Sequence, residues 1–398
     1  MSSSVMVFKQ TDAGAIPEDW EVRTIGESLQ FISGKAHEQY VSRSGEFVVV
    51  NSKFISTDGA VRKHCTVNLT PAREGDVLMV MSDLPNGRAL AKCFLVEESN
   101  KYAVNQRVCI FRSKSHDPRY LKYILNRNTY FMAFDDGVQQ THLLNETIRK
   151  CPIALPSRNE QRAIADALTS VNDVISTLER LIAKKRSIKQ SMMQQLLTGK
   201  TRLPGFTAPW TETKLRDVLS FQVGFPFKSE FFNDTPVGVR LVRNRDLKSN
   251  GSPIYYSGNF MDSYLVSSGD VLVGMDGDFT PCLWQSGRAL LNQRIGRIRP
   301  IKCVPEFMLF ALQQPLIDLE ASTGATTVKH LSHKDVESLV LHLPTIDEQN
   351  AIAQALMAAD NEINRLQIRF RKAQYMKTGM VQELLTGRTR LPIGEVPA

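Results

Sequence analysis

The sequence predicts a mixed α+β chain with an internal repeat, in which two β-rich globular regions are each followed by one long helix. Three observations lead to this fold class. A 50-residue segment occurs twice, both copies have the apolar spacing of a long helix, and the intervening regions contain many short strand-like runs. The two globular regions are expected at residues 1–155 and 206–343, and the two segments with the long helices at 156–205 and 344–398.

The duplicated segment is the clearest feature of the chain. Residues 155–204 and 343–392 align without a gap at an offset of 343 − 155 = 188, and 23 of the 50 aligned positions are identical. Shared helical composition alone would give far fewer identities. The chain is therefore a tandem duplication, and its function has to explain why the unit is present twice.

Each copy carries the start and stop signals of a single helix. The first begins with Ser157-x-x-Glu160, a capping box in which a hydroxyl and a carboxylate satisfy free backbone N–H groups, and the second has the same pattern at Thr345. Each helix should end at a C′ glycine, which is Gly199 in the first copy and Gly387 in the second. Helices of roughly 40 residues, or about 60 Å, are expected.

Apolar residues in both helices follow a 4-3-4-3-4 spacing, which is typical of a helix that pairs with another helix. The spacing weakens where Lys185, Lys189 and Lys377 occupy core positions. We expect the two helices to pair with each other, and the alternative is two amphipathic helices packed on separate cores. The predicted pairing residues are Ile164, Leu168, Val171, Ile175, Leu178, Ile182, Ile352, Leu356, Ala359, Ile363, Leu366 and Phe370.

The bulk composition limits the class of protein. The chain of 398 residues has a net charge of +8 at pH 7, which fits a polyanionic partner. No apolar run approaches the roughly 18 residues of a membrane span, and the N-terminus lacks a signal-peptide pattern. Six cysteines without a Cys-x-x-Cys pair predict reduced thiols. A cytoplasmic protein with no membrane partner is expected.

The two globular regions should contain the same order of elements. After a loose tail at residues 1–14, strands are predicted in the first region and a helix follows them. The predicted strand runs are 46–50, 76–81, 89–96, 102–112 and 151–156 in the first region, and 237–243, 270–275, 282–285, 289–299 and 338–344 in the second. The predicted helices are 118–134 and 306–322, the second of them interrupted at Pro315.

Short identical stretches keep the two regions in register. Asn105-Gln106-Arg107 matches Asn292-Gln293-Arg294, and His142-Leu143 matches His330-Leu331. The sequence between them has diverged, as expected if each region recognises something different. The two arginines fit strand-end structure as well as they fit a DNA contact.

No catalytic or metal site is predicted. Gly199-Lys200-Thr201 lacks the upstream glycine of a P-loop and follows a helix rather than a strand. His330-x-x-His333 has metal-like spacing, but no thiol or carboxylate set accompanies it. The sequence also lacks a glycine-rich cofactor turn and an Asn/Asp-Pro-Pro-aromatic motif for base methylation. A non-catalytic chain that binds no cofactor itself is expected.

The remaining chemistry lies on loops at strand ends. Amide, hydroxyl, lysine and arginine groups are the types that contact bases and phosphates, although each residue taken alone also fits an ordinary polar turn. The candidate DNA-binding residues are Ser82, Asn86, Arg88, Gln139, Gln140, Thr141 and His142 in the first region, and Asp276, Asp278, Thr326, Thr327, Lys329 and His330 in the second.

Two motifs recur in the duplicated segments. They are Leu-Pro-x3-Glu-Gln-x2-Ile-Ala at 155–165 and 343–353, and Leu-Leu-Thr-Gly-Lys/Arg-Thr-Arg-Leu-Pro at 196–204 and 384–392. With the order of variable region and long helix, repeated once, they make the whole chain resemble the specificity (S) subunit of a type I restriction–modification enzyme.

The resemblance implies two target-recognition domains, separated by two conserved helices that pair as an antiparallel coiled coil with pseudo-two-fold symmetry. Its implied partners are double-stranded DNA, two methyltransferase (modification) subunits, and restriction/translocase subunits that join through the complex. S-adenosylmethionine, ATP and Mg would be bound by those partner subunits. The recognised site would be bipartite and asymmetric, with one half for each domain.

Two other classes stay open. One is an enzyme with a built-in recognition domain, but both halves of the chain are repeats, which leaves no room for a catalytic domain. The other is a coiled-coil protein-interaction scaffold that does not recognise DNA.

Overall fold

The computed structural model describes residues 7–84, 87–248, 251–322 and 330–392. The chain divides into two compact units. Unit 1 consists of Met1–Thr177 and Arg369–Ala398, and unit 2 consists of Leu178–Ile368. Unit 1 is therefore made from both ends of the chain, and unit 2 from one continuous stretch.

The first globular region is built from short strands and short helices. Its strands are β1 (Phe8–Thr11), β2 (Gly14–Pro17), β3 (Glu21–Thr24), β4 (Gln30–Ser33), β5 (Phe47–Val50), β6 (His64–Cys65), β7 (Val77–Val80), β8 (Ser82–Asp83), β9 (Cys93–Leu95), β10 (Tyr102–Val104), β11 (Val108–Arg112), β12 (Thr141–His142) and β13 (Pro152–Leu155). Its helices are α1 (Ile25–Ser28), α2 (Ser52–Ser56), α3 (Pro118–Leu125), α4 (Thr129–Met132) and α5 (Asn145–Lys150), with a 3-10 turn at Glu38–Tyr40, and the first long helix, α6 (Arg158–Leu196), follows.

Two sheets form the frame of this region. One is antiparallel with the order β4-β11-β7-β9, and the other has the order β10-β5-β6, in which β10 and β5 are parallel. Successive side chains of β7 enter different cores, with Val77 and Met79 in one and Leu78 and Val80 in the other. Because both faces of the strand are buried, its sequence is a continuous apolar run rather than an alternating one.

Three sequence expectations for this region are wrong in detail. The predicted loose tail, residues 1–14, contains β1 and the first residue of β2, which pair as a hairpin. The predicted strand 102–112 is two strands in different sheets, because the chain turns at Asn105, whose side chain binds the His37 N–H and Glu38. The predicted helix 118–134 breaks after Leu125, and Arg127 there has a φ of +57°.

The second globular region contains a further set of short elements. Its strands are β14 (Thr211–Lys214), β15 (Leu219–Val223), β16 (Phe232–Asn233), β17 (Val239–Val242), β18 (Ile254–Tyr256), β19 (Leu265–Val266), β20 (Val271–Gly274), β21 (Pro281–Leu283), β22 (Ala289–Leu291), β23 (Ile295–Pro300) and β24 (Val340–Leu343). Its helices are α7 (Pro305–Ala311), α8 (Gln313–Ser322) and α9 (His333–Glu337), with 3-10 turns at Leu215–Asp217, Ser229–Phe231, Asn244–Leu247 and Asp262–Tyr264, and the second long helix, α10 (Ile346–Leu384), follows.

This region repeats the frame of the first. The antiparallel order β15-β23-β20-β21 corresponds to β4-β11-β7-β9, and the parallel pair of β17 and β22 corresponds to β5 and β10. The predicted strand 289–299 again splits into two strands, here at Asn292–Arg294. The predicted helix break falls at Leu312 rather than at Pro315, which lies in the first turn of α8, where a missing N–H costs no helical hydrogen bond.

The two long helices pair in antiparallel directions. In unit 2, Lys185 Nζ lies 2.8 Å from Glu362 Oε1, and Lys189 Nζ lies 2.6 Å from Asp360 Oδ1. Residue numbers rise along one helix as they fall along the other. In unit 1 the end of α10 shares a core with the start of α6. Two of the three lysines that weaken the apolar spacing, Lys185 and Lys189, therefore reach acidic residues on the partner helix.

All of the predicted pairing residues are buried or half-buried. Those at the helix starts also have a second role, since Ile164 and Leu168 join the core of the first globular region, and Ile352 and Leu356 join the core of the second. Mutual pairing and packing on a separate core therefore occur together, on different stretches of the same helix.

Both long helices end three residues before the predicted glycine, at Leu196 and Leu384. Gly199 has a φ of +68° and Gly387 a φ of +66°, which is the left-handed conformation that glycine adopts without steric cost. No helix within the described ranges is both long and apolar enough to cross a lipid bilayer.

The glutamine of the repeated Glu-Gln dipeptide fastens each long helix to its globular region. Gln161 Oε1 accepts a hydrogen bond from the Asp117 N–H at 3.0 Å, and Gln161 Nε2 donates to the Pro156 carbonyl at 2.9 Å. Gln349 makes the equivalent pair of bonds, to the Val304 N–H at 2.9 Å and to a proline carbonyl at 3.0 Å. Each buried amide thus joins the start of the long helix to the N-terminal end of a short helix.

The glutamate of the same dipeptide has a role that the capping-box prediction missed. Ser157 Oγ accepts from the Glu160 N–H at 3.3 Å, as predicted. The Glu160 carboxylate, however, accepts from Trp20 Nε1 at 3.2 Å and from the Arg390 guanidinium. Burial raises the pKa of Glu160, and the charge of Arg390 opposes that rise. The carboxylate therefore links three distant parts of unit 1.

Candidate nucleic-acid interface

In the first globular region, three loops meet at one end of the antiparallel sheet. The Met81 N–H donates to the Arg107 carbonyl at 2.9 Å, and the Met81 carbonyl accepts from the Leu143 N–H at 2.8 Å. We call this meeting point, formed by residues 81–84, 87–88, 105–107 and 139–143, the first strand-end junction.

The second globular region has the same junction. The Met275 N–H donates to the Arg294 carbonyl at 3.0 Å, and the Met275 carbonyl accepts from the Leu331 N–H at 2.8 Å. The second strand-end junction consists of residues 275–278, 292–294 and 330–331. Two diverged sequences therefore build one backbone arrangement, and the described parts of the predicted loops meet in each.

Side chains of the first junction are held by a serine. Ser82 is buried, and its Oγ accepts from Gln140 Nε2 at 2.9 Å. Strand β8 pairs with β12 so that Thr141 lies opposite Asp83 and His142 opposite Ser82. The side chains of Gln140 and His142 are exposed. Both are therefore available to a ligand at this end of the sheet, as are the exposed Arg88 and Gln139.

Two aspartates fold the loops of the first junction. The Asp83 carboxylate accepts from the Ala89 N–H at 2.6 Å. The Asp136 carboxylate accepts from the N–H groups of Val138 at 2.9 Å and Gln139 at 3.1 Å, and these bonds lower the pKa of Asp136. Both carboxylates accept hydrogen bonds from the backbone and so stabilise the loops. The amide and basic side chains of the same loops are exposed.

A groove beside the first junction adds basic and amide groups. It is lined by Glu38, by residues 105–107 and by residues 51–53, which include Lys53 in α2, just after the parallel strand β5. Gln106, Arg107 and Lys53 are exposed. The sequence contained a signal for the first two, the repeated Asn-Gln-Arg stretch, but none for Lys53, whose position depends on the parallel pairing of β5 with β10.

The second junction is organised by Asp276. This carboxylate is half-buried, with His330 Nδ1 at 2.9 Å from Oδ1 and an Arg294 guanidinium nitrogen at 3.3 Å from Oδ2. Asn244 Nδ2 donates to the Asp276 carbonyl at 2.8 Å. Arg294 and His330 are exposed. Arg294 and Asn244 were absent from the predicted set, although the Asn-Gln-Arg repeat had marked the arginine.

Asp278 also belongs to the second junction, but its carboxylate binds other groups of the protein. Asp278 forms an ion pair with Lys248 and accepts from the Thr280 N–H at 2.8 Å, so its carboxylate is engaged within the protein. Residues Asn86, Thr326, Thr327 and Lys329 lie outside the described residues.

Each of the two globular regions matches a known protein family. A family model described as "Type I restriction modification DNA specificity domain" matches residues 17–190 and again residues 208–369. Each match begins near the tryptophan that opens a globular region and extends into a long helix.

Two curated relatives show how similarity is distributed. The EcoBI specificity subunit of a type I restriction enzyme from Escherichia coli is 37% identical over 172 residues, which cover 43% of this chain and 36% of that protein. The putative MjaX specificity subunit of a type I restriction enzyme from Methanocaldococcus jannaschii is 24% identical over 418 aligned positions, covering 96% of this chain and 97% of that protein. One similarity is local and stronger, and the other spans both chains.

Solved structures share the fold. The S subunit of a type I restriction–modification system from M. genitalium matches with a TM-score of 0.64 at 13% identity, over 92% of this chain and 96% of that one. A chain from a study of the assembly and conformational transition of the type I system matches with a TM-score of 0.53 at 16% identity, over 94% and 99%. At these identities the likeness concerns the fold alone.

Proposed function

Because the chain belongs to the family of type I restriction–modification DNA specificity subunits, we propose that it recognises a bipartite, asymmetric site in double-stranded DNA within a complex of modification and restriction subunits. Each globular region recognises one half of the site. The paired long helices connect the two regions and carry the partner subunits.

The observation that carries this proposal is the repetition of the strand-end junction with different side chains. The backbone bonds at Met81 and Met275 are equivalent, but Ser82 holds Gln140 in the first junction and Asp276 holds Arg294 in the second. Glutamine and arginine are side chains that bind base edges through two hydrogen bonds. A shared frame with different base-contacting groups supports recognition of two different half-sites.

The modest net charge fits a chain that binds DNA with help from partners. A formal charge of +8 is spread over 398 residues, so few phosphate contacts are expected from the chain alone. Its DNA affinity should therefore be weak and should fall steeply with salt. Binding should tighten when the methyltransferase subunits surround the duplex.

Two equivalent grooves, one in each unit, support the proposal of two methyltransferase subunits. In each unit the groove lies between the residues just beyond the end of a long helix, a short helix, and the last strand of the globular region. Corresponding lining residues are Leu385, Thr386, Ile124 and Pro152 in unit 1, and Leu197, Thr198, Ala311 and Val340 in unit 2. A surface present twice suits a partner bound in two copies, and restriction/translocase subunits join through that partner.

We assign the catalytic steps to the partner subunits. They supply S-adenosylmethionine for methylation of adenine at N6, and ATP with Mg for translocation and cleavage, in the cytoplasm. Highly purified chain should transfer no methyl group from S-adenosylmethionine to DNA. Methyl transfer by the chain without a partner would contradict this division of labour.

The decisive experiment exchanges one globular region. Replacing residues 206–343 with the equivalent region of a relative should change one half of the methylated site, and the other half should stay the same. Exchange of residues 1–155 is the matched control and should change the opposite half. The methylated adenines of a host genome provide the measurement. If both halves change together, or if the sites form one continuous sequence, the two-domain proposal fails, and a scaffold without DNA recognition would leave the sites unaltered.

A further inference from the structure

We propose that Arg294, held in place by Asp276, recognises one guanine in the half-site of the second globular region. This inference rests on the proposed function and adds a base and a residue to it. Arg294 is the base-contacting residue, and Asp276 is a positioning residue that acts through it.

The geometry leaves most of the arginine free for a ligand. One terminal nitrogen of Arg294 lies 3.3 Å from Asp276 Oδ2, and its side chain is 68% exposed, whereas that of Asp276 is only 19% exposed. A guanidinium has five N–H donors in a planar fork, so an ion-pair contact at one terminal nitrogen leaves donors for O6 and N7 of guanine. Fixing the long side chain in advance lowers the entropy lost when DNA binds.

The positioning carboxylate is itself fixed by its neighbours. His330 Nδ1 lies 2.9 Å from Asp276 Oδ1, and Asn244 Nδ2 donates to the Asp276 carbonyl at 2.8 Å. A Cβ at Gly274 would lie 2.2 Å from Asn244 Oδ1, so glycine at this position gives Asn244 the space it occupies. Asp276 is therefore bound by two neighbours, His330 and Asn244, just after the end of β20.

Local charge favours a base contact over a phosphate contact. The carboxylate of Asp276 offsets the positive charge of Arg294, and a neutral pair gains little from the release of counterions around DNA. Hydrogen bonds to a base edge depend on the geometry of the fork, which the ion pair preserves and orients. Arg294 is thus better suited to identify a base than to bind the backbone.

The first junction supplies the contrast. Ser82 there occupies the position of Asp276 and holds Gln140 instead of an arginine. The exposed Arg107 is equivalent to Arg294, but the residue after Met81 is a serine, so the pair of arginine and following-position aspartate belongs to the second junction. The guanine assignment therefore applies to the second half-site.

The test measures base preference in the assembled complex. Wild-type and variant chains are combined with their methyltransferase subunits, a pool of duplexes with randomised sites is methylated, and the methylated products are sequenced. Arg294→Gln should lower the preference for guanine at one position by roughly 10- to 100-fold, which is the range for loss of a two-point base contact. Arg294→Lys keeps the charge without the fork and should lose much of the same preference. Asp276→Asn should weaken it at the same position by a smaller factor.

Arg288 provides a matched control in the same region. Its side chain is 65% exposed and lies 3.8 Å from an Asp262 oxygen, so Arg288→Gln removes an equally exposed, aspartate-paired arginine away from the junction. This variant should leave every position of the site unchanged. Thermal unfolding of each variant excludes loss of folding as the cause.

Two outcomes would overturn the inference. Arg294→Gln could reduce methylation equally at all sites, with a less steep salt dependence, which is the behaviour of a phosphate contact. The wild-type half-site could also contain no required guanine. In either case the region exchange can still change one half-site alone, so the proposed function would stand. Failure of that exchange would remove the proposed function itself.

Discussion

Arg202 forms a two-point ion pair with Glu348, with Nε 2.5 Å from Oε1 and the second guanidinium nitrogen 2.6 Å from Oε2. Trp210 Nε1 donates to the same carboxylate at 3.2 Å. Arg202 follows the end of the first long helix, and Glu348 lies in the first turn of the second. Because Arg390 and Glu160 repeat the pair in unit 1, the arginine of each Thr-Arg-Leu-Pro stretch joins the end of one long helix to the start of the other.

Loss of the Glu348 carboxylate should destabilise unit 2. Glu348→Ala leaves Arg202 without its counter-ion and the Trp210 N–H without its acceptor, in a place where Glu348 is only 1% exposed. Hydrogen-exchange protection of unit 2 should fall, and protection of the first globular region should be retained. Arg202→Ala combined with Glu348→Ala should cost less than the sum of the single changes. Additive effects would show that the two side chains do not act together.

Truncation of a predicted pairing residue should lower the free energy of unfolding at the start of either long helix. Leu168 and Leu356 are both fully buried, so Leu168→Ala and Leu356→Ala should each lower the free energy of unfolding by roughly 2–5 kcal/mol. Chemical denaturation, followed unit by unit through hydrogen exchange, measures the change. Val174→Ala, on an exposed position of the same helix, should change it by only about 0.5 kcal/mol. An equal loss of stability in Val174→Ala would contradict the prediction that the regularly spaced apolar positions are the ones that pack.

Acidification should weaken unit 1 through His116. Burial and the nearby charges of Arg23 and Arg158 lower the pKa of His116 below its usual 6.5. Gln161 Nε2 also lies 3.3 Å from its Nδ1, a bond that requires an unprotonated nitrogen. Since the folded pKa is depressed, the contribution of His116 to stability is complete above pH 6.5 and is lost as the pH falls through the lower folded pKa.

The pH dependence can be isolated by comparing the wild-type protein with His116→Asn. Between about pH 7.5 and 5.5, hydrogen-exchange protection of unit 1 should fall more in the wild-type protein than in the variant. Unit 2 has Cys303 at the corresponding position and should show no such difference. Equal losses in wild-type and variant unit 1 would contradict the assignment.

The lysines at core positions of the long helices should affect stability through their charge. Lys189→Glu places two acids beside each other, because Asp360 lies 2.6 Å from the lysine nitrogen, and adding Asp360→Lys restores an opposite pair. With both side chains partly exposed, each change should shift the free energy of unfolding by less than about 1 kcal/mol. The effect should shrink in high salt. Persistence of the full effect at high salt would point to packing rather than charge.

The long helices were predictable because their signals are local and repeated. The heptad spacing from Ile164 to Ile182 and the C′ glycines at Gly199 and Gly387 depend on neighbouring residues only. The copy at offset 188 doubles each signal. Their starts and ends in the structure therefore agree with the pattern to within a few residues.

The strand boundaries and side-chain roles depend on distant residues, and the sequence predicted them less well. The turn at Asn105 is stabilised by His37 and Glu38, about 70 residues earlier, so a continuous apolar run concealed two strands. Glu160 has the spacing of a capping box, but Arg390 and Trp20 compete for its carboxylate. Such partners come together only when the fold is complete.

At the candidate interface, the sequence identified the loops better than the individual groups. The matches at His142 and His330 located both junctions. The sequence did not reveal that Asp276 would contact Arg294, or that Asp278 would pair with Lys248. Each of these contacts joins residues that are not neighbours in the sequence. The roles of the predicted DNA-binding residues stay predictions that the exchange and variant experiments address.

The discontinuous composition of unit 1 has a consequence for synthesis of the chain. Unit 2 is one uninterrupted stretch, Leu178–Ile368, whereas unit 1 needs Arg369–Ala398, which includes the Arg390 that binds Asp19 and Glu160. On the ribosome, the residues that close the first-made unit therefore emerge only after all of unit 2 has been made. A premature stop after Ile368 would spare the sequence of both globular regions and still leave the N-terminal one with an open core, since Leu384 belongs to that core.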